Sequence, residues 1–155
     1  MTTSTADNAR RTVQQVLEAQ RQQPGALLPI LHAIQDALGY VPADAVPDIA
    51  EALNLSRAEV HGVISYYHHF RTTPARGPVV QVCRAEACQA CGSDALWEHA
   101  SRAAGPGVTL EPVYCLGLCA TAPSMSINDI PYARVNPGKF DRLLAQLGAQ
   151  QKEVA

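Results

Sequence analysis

The sequence predicts two units in series, an all-α segment over residues 1–72 and a small α/β domain over residues 78–150. Three observations lead to that division. In the first seventy residues the apolar positions recur with a period near 3.6, as amphipathic helices require. The run Thr72-Thr73-Pro74-Ala75-Arg76-Gly77-Pro78 then interrupts regular structure. Beyond it, short apolar runs alternate with helical patterns, the grammar of strands interleaved with helices.

Four helices are expected in the first unit. Val13, Val16 and Leu17 share one face of a helix around Thr12 to Arg21. After Pro24-Gly25, residues Leu27, Ile30, Leu31, Ile34 and Leu38 form a second stripe, and Gly39 is placed to end that helix in the left-handed conformation. Pro29 is tolerated because first-turn N–H groups have no intrahelical partner. A third helix is expected from Ala43 to Leu53 with Ile49 and Leu53 inward. The fourth opens on a capping box, Ser56-Arg57-Ala58-Glu59, and continues its apolar face through Val60, Val63, Ile64 and Tyr67. Such stripes must be buried on one another or on a neighbour.

In the second unit, Val79 to Val82 reads as a buried strand ending at Cys83, and Gly92 to Ala104 as a helix centred on Leu96 and Trp97. Val108 to Tyr114 is the next strand. Ser124–Ile127 and Tyr132–Val135 flank Asn128-Asp129 as a hairpin, with Pro131 confined to its edge. The last helix is capped by Asn136, starts at Pro137 and turns Phe140, Leu143, Leu144 and Leu147 inward. Strand, helix, strand, hairpin, helix fits a small α/β layer like thioredoxin. In that fold Ala122-Pro123 stands where a cis proline is often kept; without the fold, an ordinary trans bond is the base expectation.

Composition excludes several functions. Twelve Lys and Arg against fourteen Asp and Glu leave a net charge of −2, so no basic field exists to hold nucleic acid or an anionic membrane surface. No stretch approaches the roughly 20 apolar residues of a membrane span. Arg10-Arg11 is followed by a segment too polar for an export signal. No glycine-rich dinucleotide fingerprint or phosphate loop is present. Five cysteines, an odd number confined to one third of the chain, argue against a secreted disulfide framework and for metal or redox chemistry in the cytoplasm.

Those cysteines allow three arrangements. Cys83 and Cys88 as C-x4-C with Cys115 and Cys119 as C-x3-C would put each pair on a loop leaving a predicted strand, four thiolates for a [2Fe–2S] cluster. Cys83, Cys88 and Cys91 with a distant fourth cysteine match the plant-type ferredoxin spacing. Cys88 and Cys91 with Cys115 and Cys119 could form a tetrahedral zinc site, making the chain a zinc-stabilised interaction module. A bare Cys88–Cys91 dithiol leaves Cys115 and Cys119 unexplained. Gly117 among small neighbours suits a loop whose N–H groups approach sulfur.

Four stretches carry a resemblance: Pro24 to His32, Leu53 to Val63, Tyr66-Tyr67-His68-His69-Phe70, and Thr109 to Cys119. They resemble the gamma subunit of soluble NAD-dependent formate dehydrogenase, a relative of the 24-kDa subunit of respiratory complex I. The resemblance runs from about Pro24 to Leu147 and implies a thioredoxin-like ferredoxin domain behind a helical segment. It implies one [2Fe–2S] cluster on Cys83, Cys88, Cys115 and Cys119, with no catalytic residue on this chain. It further implies an FMN- and NAD-binding beta subunit and a formate-oxidising alpha subunit bearing further iron–sulfur clusters and a molybdenum or tungsten pterin. An NAD-linked hydrogenase or complex I-like NADH dehydrogenase would use an equivalent subunit. The sequence departs from the family at Cys91, where a small non-ligand residue is usual, and around Gly105 to Gly107, which is shorter.

Elsewhere the bland readings prevail. His68 and His69 are expected at the surface or an interface, and His32, His61 and His99 belong to no motif. Tyr66, Tyr67 and Phe70 are expected in the core or, less readily, in a docking surface; Trp97 is expected in the core.

Overall fold

The computed structural model describes residues 5–153. The chain divides into two compact units, residues 1–74 and 75–155.

The first unit is built from α1 (Thr5–Gln20), α2 (Leu27–Leu38), α3 (Val46–Leu53) and α4 (Arg57–Tyr66), with a single 3-10 turn, Ala43–Ala45, leading into α3. Val13 and Leu17 of α1, Ile30, Leu31 and Ile34 of α2, Ile49 of α3 and Val60 and Ile64 of α4 make one buried cluster. Helix α2 ends as expected, with Gly39 at φ 81° and its N–H donated to the Gln35 carbonyl. The capping box is formed too: the Ser56 hydroxyl accepts from Glu59 N–H at 3.2 Å, while Ser56 N–H donates to the Glu59 carboxylate at 2.8 Å.

Two features depart from expectation. Tyr66 and Tyr67 are not in the core; they are 77% and 42% exposed, and only Phe70 of that trio is buried. Helix α4 stops at Tyr66, so Tyr67 leaves the helical stripe in an extended conformation at φ −89°, ψ 104°. The second is a polar residue on an apolar face. Gln35, 4% exposed, donates from Nε2 to the His69 carbonyl at 2.7 Å and accepts the Arg71 N–H on Oε1 at 2.7 Å. One buried amide thereby satisfies an acceptor of the Tyr-His-His-Phe segment and the N–H of Arg71, the residue after it, and the Val41 N–H fixes the same stretch through the Arg71 carbonyl.

The second unit carries β1 (Val79–Cys83), α5 (Glu86–Ala90), α6 (Ser93–Ala103), β2 (Thr109–Val113), β3 (Met125–Ile127), β4 (Ile130–Tyr132) and α7 (Pro137–Glu153). The sheet order is β2-β1-β3-β4. β1 runs parallel to β2 and antiparallel to β3, and β3 pairs antiparallel with β4. Val80 and Val82 of β1 lie beside Ile127 and Met125 of β3 and bury one sheet face with Leu96 and Ala100 of α6 and Phe140 of α7.

The hairpin is placed correctly but its second strand is not. Asn128 and Asp129 turn the chain at φ 46° and 66°, and β4 begins immediately at Ile130 rather than at Tyr132. A two-residue turn with both residues left-handed returns the chain at once. Pro131 sits in β4, which is the edge strand. Val135 is buried outside the ladder, its N–H donated to the Pro123 carbonyl. Trp97 is half-buried against the core, with the Arg84 guanidinium 5.3 Å from its ring centre. Among the described residues no helix is long and apolar enough to cross a membrane.

Candidate iron–sulfur site

Because β1 and β2 are adjacent and parallel, the loops that leave them lie at the same end of the sheet. Cys83 is the last residue of β1, and Cys115 follows β2 by two positions. Between the strands the chain makes a short helix absent from the sequence reading, α5, which carries Cys88 inward to 2% exposure. A single turn of this kind has too few residues to show a period.

The four expected ligands come together as two pairs. The Cys83 and Cys88 thiols are buried and hydrogen-bonded to each other. The Cys115 and Cys119 sulfurs are exposed and 4.0 Å apart. Two thiolates on one tetrahedral metal at a bond length of about 2.3 Å lie about 3.8 Å apart, so the Cys115–Cys119 pair suits one metal atom. The pairs face each other: the Leu116 N–H, from the Cys115 loop, donates to Cys83, and Cys119 senses the charges of Cys88 and Cys83. Among the described residues no three Cys, His, Asp or Glu side chains are grouped for a single metal ion. In a centre with two irons, each iron takes two protein thiolates.

The surroundings suit thiolates. Burial opposes ionisation of Cys83 more than any other influence does. Hydrogen bonds from the Ala85 N–H, the Cys88 thiol, the Leu116 N–H and the Ser124 hydroxyl outweigh it together, so its thiol lies below the usual range. Cys119 moves the other way, through its hydrogen bond with Cys115, then the Cys115 charge, burial, and the charges of Cys88 and Cys83. Like charges crowded together resist further ionisation, and a bound cation relieves that repulsion. The Gly117 N–H donates to Cys115 at 3.3 Å, as the small residues of that loop suggested. Cys115 itself stands at φ 129°, a conformation non-glycine residues adopt only when their surroundings impose it.

Cys91 is exposed at the C-terminal end of α5, and its N–H closes that helix onto the Ala87 and Cys88 carbonyls. The plant-type and zinc arrangements both need its sulfur. Ser124 was missed by the sequence reading. It is buried, it lies 3.6 Å from Cys88, and it follows an Ala122-Pro123 bond that is cis. No residue pattern signals such a hydroxyl; only the approach of β3 to β1 brings it to the sulfurs.

A mixed sheet of this order, with paired cysteines where two parallel strands end, defines a thioredoxin-like ferredoxin. The chain belongs to the thioredoxin-like [2Fe–2S] ferredoxin family, whose model matches residues 13–148. It is 30% identical over 137 residues to NADH-quinone oxidoreductase subunit 2 of Thermus thermophilus, covering 82% of this chain and 76% of that one. It is also 30% identical over 145 residues to the NADP-reducing hydrogenase subunit HndA of Solidesulfovibrio fructosivorans, covering 88% and 85%. Among solved structures, an NAD+-reducing [NiFe]-hydrogenase in the air-oxidised state superimposes with a TM-score of 0.63 at 30% identity. That match covers 86% of this chain but 24% of the hydrogenase chain, so this chain spans about a quarter of that polypeptide.

Proposed function

We propose that this chain is the [2Fe–2S] electron-transfer subunit of a soluble, cytoplasmic NAD-dependent formate dehydrogenase, with Cys83, Cys88, Cys115 and Cys119 as the cluster ligands. The observation that carries the cluster assignment is the meeting of two sulfur pairs, one buried and one exposed, at the end of β1 and β2. When bound, the cluster supplies one-electron storage and transfer.

The chain's own residues divide the work. Cys83 and Cys88 hold one side of the site away from water, and the N–H groups of Ala85 and Leu116 offset the charge there. Cys115 and Cys119 form the exposed side, through which a partner can approach. The helical unit, residues 1–72 in this reading, offers exposed Tyr66 and Tyr67 toward a partner subunit, and residues 78–150 carry the cluster. That partner is an FMN- and NAD-binding beta subunit; the alpha subunit oxidises formate at a molybdenum or tungsten pterin.

Support for formate comes from the Tyr66-Tyr67-His68-His69-Phe70 and Glu111-Pro112-Val113-Tyr114 segments, which resemble the formate dehydrogenase branch. A second reading is the equivalent subunit of an NAD-linked hydrogenase or of an NADH dehydrogenase, favoured by the relatives that bear those names. Anaerobic purification with the natural partners distinguishes them. Formate-dependent NAD+ reduction by the complex is expected; hydrogen-dependent reduction without formate activity transfers the chain to the second reading. A colourless chain holding zinc and no iron rejects both.

A further inference from the structure

Three groups donate to Cys83 besides its neighbouring thiol, and two of them are backbone N–H groups, of Ala85 and Leu116. The third is the hydroxyl of Ser124, which is 1% exposed and 3.6 Å from Cys88. Its position is set by the backbone, since the Ser124 carbonyl accepts the Cys83 N–H at 3.0 Å and so locks the start of β3 to the end of β1. One buried hydroxyl therefore faces both sulfurs of the buried pair. Ser126, two residues on and equally buried, gives its hydroxyl to Gln81 Oε1 at 3.0 Å instead.

We propose that Ser124 is a positioning residue that donates its O–H to the thiolates of Cys83 and Cys88 and thereby raises the reduction potential of the two-iron centre they hold. The inference rests on the ligand reading above. Once both sulfurs are thiolates they only accept, so the hydroxyl of Ser124, buried beside them, is the donor. Reduction adds one negative charge shared between iron and sulfur, so a fixed donor stabilises the reduced form more than the oxidised one. A buried donor meets no competition from water.

The test is a spectroelectrochemical titration of the full chain, following the EPR signal of the reduced form after iron and sulfide have been assayed. Ser124→Ala is expected to lower the reduced-to-oxidised ratio at fixed potential by about tenfold, a shift of about 59 mV for one electron. Ser124→Thr, which keeps the hydroxyl, restores the wild-type potential, and Ser126→Ala leaves it unchanged. If Ser124→Ala does not retain the cluster, Ser124→Gly replaces it, and loss of the hydroxyl is expected to lower the potential in the same direction. Wild-type potential in the variant lacking the hydroxyl overturns the proposal, as does an equal shift in Ser126→Ala. A wild-type chain without iron and sulfide overturns the ligand reading itself.

Discussion

Gln35 offers the sharpest test of how the helical unit is held together. Its amide makes two hydrogen bonds of 2.7 Å to the backbone of His69 and Arg71, from a position 4% exposed in the middle of an apolar helix face. Gln35→Leu preserves the approximate volume but leaves a carbonyl and an N–H without the partner they have now. Each such loss costs about 1–3 kcal/mol, so a total of about 2–4 kcal/mol is expected after the added apolar burial of Leu is set against it. That is a large fraction of the roughly 5–15 kcal/mol by which domains are stable. Gln35→Glu separates the two bonds, because a carboxylate still accepts from Arg71 N–H but turns an acceptor toward the His69 carbonyl. Urea unfolding followed by circular dichroism measures the loss, and amide hydrogen exchange at Arg71 localises it. A Gln35→Leu chain within about 0.5 kcal/mol of wild type, with Arg71 still protected, refutes the clamp.

Further outcomes follow from the site and the caps. Cys91→Ser is expected to leave the visible and EPR spectra of the cluster intact, whereas serine at Cys83, Cys88, Cys115 or Cys119 abolishes or alters them; the reverse result installs the plant-type set. Ser56→Ala removes the cap of α4 and is expected to cost about 1 kcal/mol in urea unfolding. The Ser56 N–H and then its hydroxyl hold the Glu59 carboxyl below its ordinary 4.5. The stabilisation that Glu59 adds is therefore full above that value and lost as pH falls through the lower folded value, and Glu59→Gln should flatten this part of a stability-against-pH curve. Gly77→Ala is expected to destabilise the second unit, since Gly77 stands at φ 76° and a Cβ there would collide with the Gly107 carbonyl; thermal unfolding reads the loss.

Much of this protein follows from local rules acting on the sequence alone. The four amphipathic stripes, the Gly39 stop, the Ser56–Glu59 box, the Asn128-Asp129 turn and the grouping of cysteines into a C-x4-C and a C-x3-C all depend on neighbours within a few residues, where side-chain chemistry dictates backbone geometry. The fold class was legible for the same reason, because the order of strands and helices leaves few ways to bury their apolar faces. What the sequence could not settle depends on contacts between distant segments. Tyr67 continues an apolar pattern, yet α4 ends at Tyr66, before the pattern does. Gln35 reads as a polar interruption until the backbone of residues 69 and 71 arrives to use it. The division of the four sulfurs into a buried and an exposed pair, and the Ser124 hydroxyl set against the buried one, exist only once β3 has paired with β1. Burial and hydrogen bonding across some forty residues are properties of the assembled sheet, and no local spacing encodes them.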